Sequence, residues 1–151
     1  MNQNPTFLLV DDSENDLFLT RVAFKDAGID DSVQEVHNGE EAIAYLKGDG
    51  LYSDRSAFPL PAAMLLDLNM PRKDGFDVLR WVRDQPALKR MPVIVLSASM
   101  RSEDVERAFE LGAHSFLVKP GAIADLIDMI RCLRDWLRYN HFPPLNETVR
   151  R

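Results

Sequence analysis

Five short runs with strand character, none long enough for a core helix, punctuate this chain between longer amphipathic stretches. They are "FLLV" (7–10), the half-polar "VQEV" (33–36), "AAMLL" (62–66), "PVIVLSA" (92–98) and "SFLV" (115–118). An apolar run four to seven residues long is the length of a strand, and an uninterrupted one reads as a strand covered on both faces. The stretches between them carry helical signals. Ser13 followed by Asp16 reads as a capping box that opens a helix closed by Gly28, and Asn38 with Glu41 repeats the pattern. Ala42, Ile43 and Leu46 form a helical stripe, as do Phe76, Leu79 and Val82 after Gly75. Val105, Ala108 and Leu111 lie on a helix ended by Gly112, and Ile123 to about Tyr139 forms a long last helix. Strand and helix alternating five times predict an α/β fold, a five-stranded parallel sheet with helices on both faces. Right-handed crossovers then bring the C-terminal ends of all strands to one edge, where open sheets of this kind bind ligands.

Composition narrows the function classes. The chain has 151 residues, which suits one domain, and a formal net charge of −6, which argues against a nucleic-acid binder. One cysteine, Cys132, cannot form an intramolecular disulfide, which fits a reducing cytoplasm. No apolar run approaches the ~20 residues that span a bilayer, so no membrane is expected. "MNQNPT" has neither the basic nor the apolar part of a signal peptide. Two segments break the alternation. Residues 48–61, "GDGLYSDRSAFPLP", are expected to be a long surface loop. Residues 140–151, "NHFPPLNETVRR", are expected to be a C-terminal tail, with no separate effector domain after a unit at 5–139.

The stretch "LLDLNMPRKDG" (65–75) runs a buried-looking strand into a carboxylate at Asp67, where a turn with Pro71 and Gly75 begins. Alone, that acid reads as a turn former, as do Asp11 and Asp12 after the first strand. The register of the pattern changes the reading. Asp11 and Asp12 end the first strand, Asp67 the third, Ser97 the fourth and Lys119 the fifth, so they meet on one edge. Clustered carboxylates repel one another, and a hard cation such as Mg²⁺ relieves that repulsion while bridging to a phosphoryl group. Lys119 offers a point charge and Ser97 a hydroxyl to phosphoryl oxygens. Asp67, central in the sheet, is the expected nucleophile of a phosphoryl transfer.

At this point the sequence resembles the receiver domain of two-component response regulators over about residues 5 to 139. "LLVDDSENDL", "LLDLNMPRKDG", "VIVLSAS" and "GAHSFLVKP" resemble its acidic-pair, phosphoacceptor, switch-hydroxyl and lysine segments. The resemblance implies a flavodoxin-like strand order 2-1-3-4-5. It implies Asp67 as phosphoacceptor, and Asp11, Asp12, Asp67 and the backbone carbonyl of Asn69 as ligands of Mg²⁺, with Mn²⁺ as a substitute. It implies Ser97 as switch hydroxyl with Phe116 as its aromatic partner, Ala98 as the small residue leaving room for the donor, and Lys119 as the phosphoryl-binding cation. A cis peptide before Pro120 is also implied.

The implied partner is a sensor histidine kinase. The loop at 48–61 and the aromatic-bearing last helix resemble the stand-alone regulators of bacterial and cyanobacterial phytochromes, which points to a bacteriophytochrome. Output would be a protein–protein contact or phosphorelay. Trp136, Tyr139 and Phe142 lie beyond the stripe Ile123, Leu126, Ile127, Ile130 and Leu133, so they suit a homodimer interface through the last helix. Covering the helix's own end is the simpler use of the same rings. Trp81 reads as a half-buried packing residue. Two alternatives belong to other classes. A hydrolase with a strand-end aspartate typically needs an acid two residues on, where this chain has Asn69. A phosphorylation-independent protein-binding module would not need the complete polar set.

Overall fold

The computed structural model describes residues 6–29, 33–70, 73–142 and 145. Pro71 and most of the tail, including Arg150 and Arg151, lie outside them. The elements are β1 (Phe7–Val10), α1 (Glu14–Asp26), β2 (Val33–Val36), α2 (Gly39–Lys47), β3 (Ala63–Leu66), α3 (Gly75–Asp84), β4 (Val93–Ser97), α4 (Ser102–Glu110), β5 (Ser115–Val118) and α5 (Ile123–Tyr139). The strands are parallel in the order β2-β1-β3-β4-β5.

Side chains along each strand alternate between two separate cores, because successive Cβ atoms point to opposite faces. Leu8, Val10, Met64, Leu66, Val93 and Val95 face α2, α3 and α4 through Ala42, Leu46, Val78, Leu79, Val82 and Ala108. Phe7, Leu9, Ala63, Leu65, Ile94 and Leu96 face α1 and α5 through Leu17, Phe24, Leu126 and Ile130. That double burial is why β1, β3 and β4 carry almost no polar residue. Burying each large aliphatic side chain contributes ~1.5–3 kcal/mol, more than the net worth of a single ladder hydrogen bond, so packing holds these short strands. The half-polar "VQEV" is β2, an edge strand, and only Val36 in it is fully buried. On α5, Leu126 and Ile130 are buried but Ile123 is 41% exposed, so the expected core stripe starts one turn later. Trp81 is half-buried, as read from the sequence.

The segment at 48–61 is more built than a plain loop. It holds a 3₁₀ turn at Gly50–Ser53, and Tyr52 and Phe58 pack on Tyr45 of α2. Arg55 donates to the carbonyls of Tyr45 at 2.8 Å and Leu46 at 2.7 Å, both in the last turn of α2, where helix carbonyls run short of backbone donors. The Tyr45 hydroxyl donates to Pro59 O at 2.7 Å. Among the described residues, no helix is long and apolar enough to cross a membrane.

Candidate functional site

In the parallel register Val10 pairs with both Val36 and Leu66, and Leu66 pairs with Val95. The residues that follow these strands therefore stand side by side. Backbone hydrogen bonds carry the pairing past the strand ends, from Asp67 N to Val10 O at 2.9 Å, Asp11 N to Val36 O at 3.2 Å, and Lys119 N to Ser97 O at 2.8 Å. Asp11 and Asp67 are almost fully buried and Asp12 is exposed. One oxygen from each of Asp11, Asp12 and Asp67 lies within 4.8 Å of the others.

The turn after Asp67 is held by close backbone contact. Gly75 N–H donates to Leu68 O at 3.0 Å, and a Cβ on Gly75 would sit 2.4 Å from Asp67 O. Only glycine lets the start of α3 lie against the strand end that carries the acid. Asp74 caps α3 by accepting from Asp77 N–H, and Asp77 accepts from Asp74 N–H in return.

Burial pushes the Asp67 carboxyl up to about 6. The Lys119 cation opposes that rise, the charges of Asp11 and Asp12 add to it, and a hydrogen bond from the Asn69 backbone lowers it. The desolvated anion thus lacks enough positive charge from the protein alone. Three convergent carboxylates with hard oxygen donors and a partly open face fit a divalent cation. For Lys119, burial lowers the ammonium pKa, but hydrogen bonds to Asp11 and Asp16 and the charges of Asp67 and Asp11 more than offset it. Its Nζ lies 2.8 Å from Asp11 Oδ2, 2.7 Å from Asp16 Oδ2 and 3.8 Å from Asp67 Oδ1.

Ser97 is fully buried, and its Oγ accepts from Ser99 N–H at 3.1 Å. Ser99 Oγ in turn donates to Asp104 on α4 at 2.8 Å. Ala98 is exposed beside it, and Phe116 is half-buried against the α2–α4 core. Asn69 is exposed at the mouth of the site. The peptide before Pro120 is trans, as are all peptides among the described residues, so the cis form implied by the resemblance is not the one present. Trans is the lower-energy isomer for an X–Pro bond unless the surroundings select against it.

Asp16 is the residue that the sequence reading missed. The expected capping box is half made: Ser13 accepts from Asp16 N–H at 3.2 Å, but the Asp16 carboxylate turns to Lys119 instead of back to the cap. Ser13 N–H donates to Asp11 Oδ1 instead. The available signal was spacing, since Asp16 lies four residues after Asp12, one helical turn further along the same approach to the edge.

The model of the response regulator receiver domain family matches residues 7–131. The chain is a response-regulator receiver. It is 36% identical over 137 residues to Response regulator Rcp1 of Synechocystis, covering 90% of this receiver and 91% of Rcp1. The Mn²⁺-bound form of Rcp1 superposes with a TM-score of 0.79, covering 92% of this receiver and 99% of that chain. RPA3017, a response regulator in red light signaling of R. palustris, matches at TM-score 0.85 and 36% identity, covering 92% and 98% of the two chains. The phosphorylated cyanobacterial phytochrome response regulator RcpA matches at TM-score 0.84 and 32% identity, over 93% of this receiver and 99% of RcpA.

Proposed function

We propose that this receiver takes a phosphoryl group onto Asp67 from a sensor histidine kinase of phytochrome type, in the cytoplasm, and signals by contact with other proteins or by phosphorelay. The observation that carries the reading is a buried carboxylate at a strand end, ringed by Asp11, Asp12 and Lys119. Similarity to Rcp1, RcpA and RPA3017 over nearly their whole lengths supports the choice of kinase.

An Asp67 oxygen attacks the phosphorus of a phosphohistidine. The P–N bond breaks with its electron pair returning to the imidazole, and an acyl phosphate forms. Asp11, Asp12, Asp67 and the Asn69 carbonyl would hold Mg²⁺, which supplies charge neutralisation for the carboxylates and the transferring oxygens. Lys119 donates to one phosphoryl oxygen and the Ser97 hydroxyl to another, the latter leaving its bond with Ser99. Ala98, with no side chain beyond Cβ, keeps the approach open, and Phe116 follows Ser97 inward. The hydrolase alternative lacks a general acid at Asn69. The same chemistry with a small-molecule donor makes the receiver self-phosphorylating, and intact-mass measurement after incubation with acetyl phosphate tests it. One phosphoryl adduct that requires Mg²⁺ is expected, and absence of both the adduct and beryllofluoride binding would overturn the proposal.

Lys119→Ala is expected to leave that adduct detectable while abolishing the response of Ser97 and Phe116. Amide chemical-shift changes in β4, α4 and β5 on adding beryllofluoride should shrink severalfold, and unchanged shifts would refute the role. The homodimer through α5 rests on Trp136 and Tyr139, which are 41% and 76% exposed. Phe142 meets Trp136 edge to face with ring centroids 5.7 Å apart, so it covers part of that ring and leaves Tyr139 as the more open contact. Sedimentation of wild type should show a concentration-dependent dimer that Tyr139→Glu abolishes; a monomer with and without beryllofluoride removes the dimer from the proposal.

A further inference from the structure

Lys119 faces more carboxylates than phosphoryl transfer requires. Its two short contacts go to Asp11 and Asp16, and the nearest Asp67 oxygen, at 3.8 Å, is beyond hydrogen-bond range. Asp16 arrives from a different element than the other acids, the first turn of α1, and its backbone N–H is fixed by Ser13. It also stands spatially apart from them. The converging group that fits a cation comprises Asp11, Asp12 and Asp67 without Asp16. With Asp11 among the residues that would hold a cation, Asp16 is the carboxylate left to the lysine.

From this geometry we infer that Asp16 is a positioning residue that holds Lys119 in reserve and competes with the phosphoryl group for it. The inference rests on phosphoryl acceptance at Asp67. An ammonium has three donors, and each one committed to a carboxylate is withheld from the incoming dianion. Asp16 keeps the lysine at the edge, oriented and charged, before phosphorylation. Afterwards the ammonium, which stands 3.8 Å from the nearest Asp67 oxygen, has to shift toward a phosphoryl oxygen, and the attraction of Asp16 opposes that shift. The strength of the Asp16–Lys119 pair thereby sets how readily the site accepts the group. The Asp16 side chain is 36% exposed, so solvent screens the pair and the effect is moderate.

The test compares wild type, Asp16→Asn, Asp16→Glu, Lys119→Ala and the Asp16→Asn/Lys119→Ala double variant at saturating Mg²⁺. Beryllofluoride affinity is read by titration calorimetry, and the rate of phosphoryl uptake from acetyl phosphate by intact mass. Asp16→Asn is expected to bind beryllofluoride about fivefold more tightly, the size of a screened pair. Asp16→Glu, which restores the charge, should return affinity to near the wild-type value. In the Lys119→Ala background, Asp16→Asn should leave the uptake rate unchanged, because the competitor has lost its object. Unchanged or weaker binding in Asp16→Asn overturns the inference. So does an uptake gain that persists without Lys119, which would make Asp16 a source of general repulsion. If wild type itself takes up neither reagent, phosphoryl acceptance at Asp67 fails first. A wild type that binds both while Asp16→Asn matches it refutes the reserve role alone.

Discussion

Asp67→Asn is expected to end phosphoryl uptake and, by the same substitution, to make the cation-free protein more stable at pH 7. Loss of uptake follows because an amide is no nucleophile toward phosphorus, and intact mass should show no adduct with acetyl phosphate and Mg²⁺. The gain in stability follows from linkage. Burial, with the charges of Asp11 and Asp12, raises the Asp67 carboxyl from 3.8 to about 6, so in this window the folded state holds a proton that the unfolded chain has released. Stability without cation therefore falls as pH rises from about 4 to about 6, and the penalty is complete above that range. A shift of this size corresponds to ~2–3 kcal/mol, all of which the neutral asparagine avoids. Urea unfolding in EDTA should show the variant ahead at pH 7 by ~1–3 kcal/mol and level with wild type near pH 4. Millimolar Mg²⁺ should then stabilise wild type and leave Asp67→Asn nearly unmoved. A variant less stable than wild type at pH 7, or a gap that does not close on acidification, would contradict the burial argument.

The second large effect lies at the opposite edge of the sheet. Arg83, at the end of α3, donates through Nε to Gly112 O at 2.9 Å and through Nη1 to Lys89 O at 2.8 Å and Met91 O at 3.1 Å. One guanidinium thus joins the α3–β4 connection to the turn before β5. Gly112 is at φ +99, and a Cβ there would meet Arg83 Nε at 2.5 Å, so this turn is shaped around the arginine. His114 completes the cluster. Its Nδ1 lies 3.0 Å from Arg83 Nη2 and accepts from Val93 N–H at 3.2 Å, which places the imidazole proton on Nε2. Burial and the neighbouring Arg83 charge hold the His114 pKa below the usual range and keep that neutral form. Arg83→Ala leaves the carbonyls of Lys89, Met91 and Gly112 without this donor and is expected to cost about 3 kcal/mol. That is a large share of the ~5–15 kcal/mol that stabilises an ordinary domain. Arg83→Lys should recover less than half, because an ammonium cannot fork among separated acceptors. Urea unfolding measures both, and a loss below ~1 kcal/mol for alanine would show that water substitutes for the guanidinium. Phosphoryl uptake should survive in the folded fraction, since Gly112 and Val93 lie at the N-terminal ends of β5 and β4, away from Asp67.

Local elements were readable because they depend on short-range rules. The termini of α1 and α5 and the bounds of β1, β2 and β5 follow from caps, glycines and apolar periodicity, while β3 is shorter than its apolar run by one residue at one end and β4 by one at each end. Even "VQEV" formed its strand, with polar positions that an edge strand tolerates. Loop 48–61 was harder, since Tyr45, Arg55 and Phe58 have no period and reveal their contacts only when the chain closes on itself. Ile123 misled for a related reason: the helical period includes it, but at the start of α5 it stays 41% exposed.

At the site, the sequence by itself determined which chemical groups reach the edge. Parallel strands joined by right-handed helices admit few arrangements, so residues placed after β1, β3, β4 and β5 must converge wherever the chain is cut into those elements. Only the tertiary structure decided how they pair. That Lys119 takes Asp11 and Asp16 rather than Asp67, and that Arg83 reaches the Gly112 carbonyl, depends on side-chain directions across elements some hundred and some thirty residues apart. Periodicity carries no information on those directions. A cap signal such as Ser13–Asp16 fixes where a backbone turns, whereas the free end of its side chain goes to whichever charge the fold brings nearest.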